Sequence, residues 1–154
     1  MDREQIAKAY FSQLGWTEPL PGSIIAMPFQ KGYQNNYAGD TGAQAAGKIL
    51  EAAGYSKSGD YYAKDGKVAG FALTSFGSEA VYQAVYQILE QQLKSAGIRL
   101  SADNQPQSNS NSVLGQKSYE AIFTGWGVLP DLASSAPYFF TTEGLSLIHI
   151  SEPT

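Results

Sequence analysis

The chain has 154 residues, a net charge of −4 and no cysteine. That length suits one domain, able to bury roughly 68–70% of its unfolded surface; the missing cysteine excludes disulfides and thiolate metal sites. Charged residues make up 16% and hydrophobic ones 43%, with no basic block, so the chain reads as globular and not as a nucleic-acid binder.

No run of about 18 apolar residues is present, so no membrane-spanning helix is expected. The opening MDREQIAKAYF is no signal peptide, because it begins with acid and base and passes straight into an amphipathic pattern. Asp2 is placed to cap this first helix, with Gln5 reaching back to complete a capping box. Ile6, Ala9, Tyr10 and Leu14 form its apolar face, and Gly15 supplies the stop. A long irregular segment follows, with three prolines and "SIIAM" as a short candidate strand.

The second helix is expected over TGAQAAGKILEAAG, with Thr41 and Gln44 as a capping box and Gly54 as the end. Its buried stripe is read as Ala45, Ala46, Ile49, Leu50 and Ala53. Asp65-Gly66 between two aromatic and apolar segments signals a β-hairpin. The longest helix, SEAVYQAVYQILEQQLKSAG, has Ser78 as cap and Glu79 in its first turn. Val81, Val85, Ile88, Leu89, Leu93 and Ala96 make its apolar stripe, and Gly97 ends it. The strand GFALTSF before it and IRLSAD after it make a βαβ unit, so these strands should be parallel with a right-handed crossover. NQPQSNSNSVLGQKS is low in complexity and reads as a surface loop. YEAIFTGWGV is the final strand, running into Gly125-Trp126-Gly127 and an aromatic, proline-containing loop. The fold class is α/β, with a mixed sheet, a βαβ unit and packed helices.

Catalytic chemistry is poorly supplied. No nucleophile elbow, dinucleotide fingerprint or P-loop is present, and Gly115-Gln116-Lys117-Ser118 lacks the leading glycine of a P-loop. Asp103, Asn104 and Asn109 lack calcium-loop spacing, so no metal and no cofactor is expected. The aromatic run Tyr119, Phe123, Trp126, Tyr138, Phe139 and Phe140 gathers around one strand's carboxyl end. Phe123, Phe139 and Phe140 read as core. Trp126 differs, because flanking glycines make a turn that presents it, and ligands of α/β sheets bind at carboxyl ends of strands. A second reading remains open: a small carbohydrate-active enzyme using Asp131 with Glu120 or Glu143 near Trp126.

The segments DREQIAKAYFSQLG, AAGKILEAAGY, the KDGK hairpin, QILEQQLKSAGIRL and YEAIFTGWGVLPD, in that order, resemble the second lobe of the family 5 solute-binding proteins of ABC importers, the oligopeptide- and dipeptide-binding type. The resemblance covers about residues 1–144. It implies an incomplete periplasmic-binding-protein-like lobe of the cluster C type, cut from a longer, bilobed, monomeric protein. It implies that an oligopeptide or another small solute is trapped between lobes and presented to a membrane permease. It implies a periplasmic or lipid-anchored location. The ligand-binding residues it carries over are Gly125, Trp126, Gly127 and Asp131. In peptide-binding relatives an aspartate after the Gly-Trp pairs with the ligand's α-amino group. Here Leu129 stands near that place and Asp131 follows Pro130, which leaves peptides, sugars and nickel complexes open as solutes. A single lobe supplies one wall of such a cleft, so weak binding by this chain alone is expected.

Leu145–Thr154, LSLIHISEPT, contains the single histidine, His149. It is what CTG TCT CTT ATA CAC ATC TCC GAG CCC ACG encodes, a string that resembles a sequencing-library adapter read in frame. Residues 145–154 are therefore expected to be a non-native tail without function, and Met1 an internal methionine.

Overall fold

The computed structural model describes residues 1–11, 14–15, 17–23, 26–37, 41–77 and 80–124. Helix α1 spans Arg3–Tyr10, and Asp2 caps it by accepting from the Glu4 and Gln5 N–H groups. Gln5 does not close the box. The Asp2 N–H donates instead to Gln92 Oε1 at 2.8 Å, and Gln92 Nε2 donates to Gln5 Oε1 at 3.2 Å. A carboxamide from another helix thus does the work that the local pattern assigned to Gln5. The helix ends four residues before Leu14, which is 73% exposed, so Leu14 leaves the apolar face and Gly15 is not the stop.

Helix α2 spans Ala43–Ala52 with Gly42 at its N-cap and no side-chain cap bond, so Thr41 does not cap it. The buried position is Gly47, whereas Ile49 is 68% exposed and Ala53 also faces out. The reason is steric. The Tyr62 hydroxyl lies 2.8 Å from where a Gly47 Cβ would stand, so the ring seats on the face carrying Gly47 and turns Ile49 away.

Strands β1 (Ser56–Ser58), β2 (Tyr61–Lys64) and β3 (Lys67–Val68) form an antiparallel sheet. The Asp65-Gly66 turn between β2 and β3 has φ of +51° and +73°, the two positive values that a two-residue type I′ hairpin needs. Strand β4 (Gly70–Phe76), helix α3 (Ala80–Ser95) and strand β5 (Arg99–Gln105) make the expected parallel βαβ unit, with Thr74 opposite Asp103 and Phe76 opposite Gln105. Strand β6 (Ala121–Ile122) joins β4 from the other side, also parallel, giving the order β5-β4-β6. Parallel and antiparallel pairing thus occupy two three-stranded sheets among the described residues.

The stripe of α3 turns inward as its periodicity predicts, with Val85 buried at 1% exposure and Val81, Ile88, Leu89 and Leu93 half-buried. Helix α3 packs on β5, and α1 packs on α3. Ala26, Ala69, Leu73, Phe76, Ala96 and Leu100 are the other buried apolar residues among those described. Ser78 and Glu79, read as the start of α3, lie outside the described residues, as do Ile24 and Ile25 of SIIAM.

The two sheets meet at Gly97. Its carbonyl accepts from the Tyr62 N–H at 2.8 Å, and the Ala69 carbonyl accepts from the Arg99 N–H at 2.9 Å. Gly97 adopts φ +75°, and a Cβ there would stand 2.7 Å from Tyr62 Cδ2.

The polar stretch after β5 is not a plain loop. Gln107–Asn109 form a 3-10 turn and Ser110–Gln116 form helix α4. Pro106, with φ −57°, sets the entry, and Asn109 Nδ2 donates to Gln105 Oε1 at 3.3 Å. Val113 and Leu114 turn inward, two apolar residues that the surrounding Ser and Asn mask in the sequence pattern.

Candidate ligand-binding edge

Because β4, β5 and β6 are parallel, their carboxyl ends share one edge: Phe76-Gly77, Gln105 and Phe123-Thr124. Helix α3 begins at this edge. Helix α1 runs back toward it, since its start is held by Gln92 late in α3 and its end places Tyr10 against Phe123. Open α/β sheets bind ligands outside such carboxyl ends.

Between β4 and β5 the edge is held by a polar ladder. Thr74, 1% exposed, donates from Oγ1 to Asp103 Oδ2 at 2.8 Å. Gln105 Nε2 donates to Asp103 Oδ1 at 2.6 Å. Both carboxylate oxygens are engaged, so Asp103 organises the strand ends and the turn that follows. Asn104 faces the opposite side of the sheet and accepts from Ser75 Oγ at 3.5 Å. Among the described residues no group of three His, Cys, Asp or Glu is arranged to hold a metal ion.

On the α3 face, a recess of about 410 Å³ runs along the helix, with Ser75, Gly77, Asn104, Tyr82 and Phe123 among its lining residues. At its far end the Tyr86 hydroxyl donates to the Leu100 carbonyl at 3.4 Å and to Glu90 Oε1 at 3.5 Å. Burial, with the Glu90 charge behind it, raises the Tyr86 pKa above its ordinary value. A second recess of about 430 Å³ opens between α1 and the end of β6, lined by Arg3, Tyr10, Leu20, Tyr82, Phe123 and Thr124 among others. Arg3 closes one side, donating from Nη2 to the Pro21 carbonyl at 2.7 Å while stacking 4.0 Å from the Tyr37 ring centre.

Phe123, read as core, is only half-buried and lines both recesses, with Tyr82 edge-on at 5.3 Å and Tyr10 at 5.9 Å. Gly125, Trp126, Gly127 and Asp131 lie outside the described residues, as do Glu143, Tyr138, Phe139, Phe140 and the stretch Leu145–Thr154. Glu120 is described. Its Oε2 accepts the Ala72 N–H at 2.6 Å, so it satisfies a backbone donor of β4 below the carboxyl edge. Sequence reasoning missed Tyr10 and Tyr82 as residues of the edge. The available signal was their place: Tyr82 opens the helix after β4, and Tyr10 closes the helix that packs on it.

The family model for bacterial extracellular solute-binding proteins, family 5 Middle, matches residues 1–146. Among solved structures, the oligopeptide-binding protein AppA from Bacillus subtilis, in complex with a nonapeptide, is 22% identical with a TM-score of 0.64, over 85% of this chain and 27% of that one. NikA from Brucella suis, in complex with Fe(III)-EDTA, is 20% identical with a TM-score of 0.65, over 95% of this chain and 29% of that one. NikZ from Campylobacter jejuni, in complex with Ni(L-His), is 22% identical with a TM-score of 0.59, over 86% and 26%. A search of curated proteins finds no match. The chain therefore spans less than a third of the length of these relatives and shares the fold of part of them. With its α/β architecture and a family match over nearly its whole length, the chain belongs to the bacterial extracellular solute-binding proteins of family 5.

Proposed function

We propose that this chain is the second-lobe part of the solute-binding component of an ABC importer, which captures an oligopeptide or a related small solute between two lobes and delivers it to a membrane permease. The observation that carries this is the common carboxyl edge of β4, β5 and β6, leading directly into Gly125-Trp126-Gly127 and then Asp131. Trp126 offers a flat apolar face to the solute, and Asp131 a charge for an amino group. Work of this kind requires no bond to be made or broken. The solute favours the closed arrangement because only there does it touch both lobes. The longer protein acts outside the cytoplasmic membrane, periplasmic or lipid-anchored, as a monomer. The peptide-bound AppA and the nickel-bound NikZ support two solute classes.

A thermal-shift panel of short peptides and nickel–histidine complexes tests this. A solute that binds the native state raises the melting temperature by mass action. The expected result is a rise for one class with the wild-type chain and none with Trp126→Ala. An equal rise in both proteins contradicts the assignment of Trp126.

Glu120 bears on the carbohydrate-active alternative. Its carboxylate is held by the Ala72 N–H, which suits a strand-capping group and gives no support to a catalytic acid.

A further inference from the structure

Strand β5 is an edge of the parallel sheet, since the order is β5-β4-β6. Its odd-numbered residues turn their backbone groups to β4. The Arg99 N–H donates to the Ala69 carbonyl at 2.9 Å, and the Gln105 carbonyl accepts from the Gly77 N–H at 3.0 Å. Backbone groups alternate sides along a strand, so those of Leu100, Ala102 and Asn104 point away from the sheet. The Tyr86 hydroxyl takes the Leu100 carbonyl at 3.4 Å and closes one end of this edge. Pro106, without an N–H, closes the other. Between these ends Ala102 and Asn104 present two donors and two acceptors. Among the described residues nothing is bonded to these four groups, and both residues are exposed.

This edge faces a helix across a groove. Ala102 and Asn104 line one side of the recess along α3, and the exposed Gln83, Gln87 and Glu90 line the other. An exposed strand edge is where an extended peptide adds as a further strand, with main-chain bonds giving affinity and side-chain pockets giving specificity. Laid antiparallel to β5, three peptide residues satisfy all four free groups. The residues opposite Ala102 and Asn104 each exchange an N–H and a C=O with them. Their side chains then fall on the same face as those of Ala102 and Asn104, inside the groove. Glu90 is the one charged residue among the described residues that line it. We propose that the β5 edge and α3 form a docking groove for an extended peptide segment with a basic side chain set against Glu90. This site goes beyond the solute-capture reading, since it uses the flank of β5 and not the carboxyl edge of the sheet.

The test is an NMR titration of the isotope-labelled 154-residue chain with the peptide acetyl-Thr-Val-Lys-Val-Thr-amide, to about 5 mM so that millimolar binding is visible. The expected result is saturating amide shifts centred on Ala102 and Asn104, with smaller ones at Gln87 and Glu90. Glu90→Gln should weaken this peptide about fivefold, and Glu in place of the peptide's Lys should weaken it by at least as much. Ala102→Pro removes an edge donor that β4 does not use, so the fold should stand while the shifts are lost. If that variant fails to fold, a peptide N-methylated at its Lys decides. It keeps the charge, loses the donor opposite Ala102, and should bind about tenfold more weakly. Equal binding of the Lys and Glu peptides, or undiminished binding of the N-methylated one, overturns the proposal. Shifts centred on Gly77 and Thr124 with Ala102 and Asn104 silent also overturn it, and leave the solute reading standing. Concentration-dependent changes at Ala102 and Asn104 without peptide would assign the edge to a second copy of the chain and overturn it too.

Discussion

Gly97→Ala should destabilise the junction of the two sheets through both backbone and side chain. Gly97 follows the last turn of α3 and leads into β5, so an error there disturbs both the antiparallel hairpin sheet and the parallel βαβ unit. Two costs add. At φ +75° an L-residue sits in the left-handed region, at roughly 1–2 kcal/mol. The new Cβ would also stand 2.7 Å from Tyr62 Cδ2 and 2.8 Å from Lys57 Nζ. The lysine tip can move. The ring is more restrained, because the Tyr62 hydroxyl donates to Glu51 at 3.0 Å and the Tyr62 backbone N–H to the Gly97 carbonyl at 2.8 Å. Overpacking of this kind costs about 1–3 kcal/mol. The sum is about 2–5 kcal/mol, or roughly 5–15 °C in Tm for a chain of this size. Gly59→Ala is the control: its φ is +62°, but nothing stands within 4 Å of its Cβ, so it carries only the backbone cost. Tyr62→Ala should make Gly97→Ala milder, isolating the steric part as a coupling energy in a double-mutant cycle. Urea denaturation of the four proteins decides it. Gly97→Ala no worse than Gly59→Ala, or a cycle with no coupling, refutes the reasoning.

Thr74→Val removes a hydroxyl donated to a carboxylate while keeping the shape, and should cost about 1.5–3 kcal/mol in chemical denaturation; a loss under about 0.5 kcal/mol would mean that water replaces the bond to Asp103 freely. The Tyr62 phenol is raised above its ordinary value of 10.0, first by its hydrogen bond to Glu51 and then by burial and the Glu51 charge. A raised native pKa favours the protonated form, so its contribution is complete below the unfolded value and is lost as pH climbs through the native one. Denaturation across the alkaline range should therefore show a stability loss that Tyr62→Phe removes, and identical alkaline curves would contradict the Glu51 contact. Gln92→Ala should release the start of α1, read as faster amide exchange at Glu4 and Gln5 with protection of β4 and β5 unchanged. On the proposed reading the chain supplies one wall of a two-lobed site, so alone it should bind a solute only weakly, in the millimolar range where binding free energy is about −4 kcal/mol. Micromolar binding in calorimetry by residues 1–144 would contradict that expectation.

Patterns with a local cause were legible in the sequence. The Asp65-Gly66 hairpin, the α3 stripe, Asp2 as a cap and the parallel βαβ unit all follow from residues within one turn or one element. What failed depended on partners far along the chain. Gln92 displaced Gln5 at the α1 cap from 87 residues away. The Tyr62 ring chose the Gly47 face of α2, which left Ile49 outside although its spacing matched a buried stripe. Helix α4 was hidden because Ser and Asn favour turns and caps by composition, while Val113 and Leu114 are too few to show a period. The edge itself was legible only as a place, the carboxyl end of the final strand. The ring contacts of Tyr10 and Tyr82 with Phe123 join residues more than 40 positions apart, which no spacing rule brings together.

The most direct measurement is a heteronuclear NMR titration of the isotope-labelled 154-residue chain with a short peptide and, separately, with the nickel–histidine complex, each to about 10 mM so that millimolar binding is visible. The predicted result is a saturating shift for one of the two, concentrated at Gly77, Tyr82, Thr124, Gly125, Trp126 and Asp131, with the β2–β3 hairpin unmoved. Saturating shifts centred on the hairpin and α2, with the carboxyl edge of β4, β5 and β6 silent, would contradict a solute site at that edge.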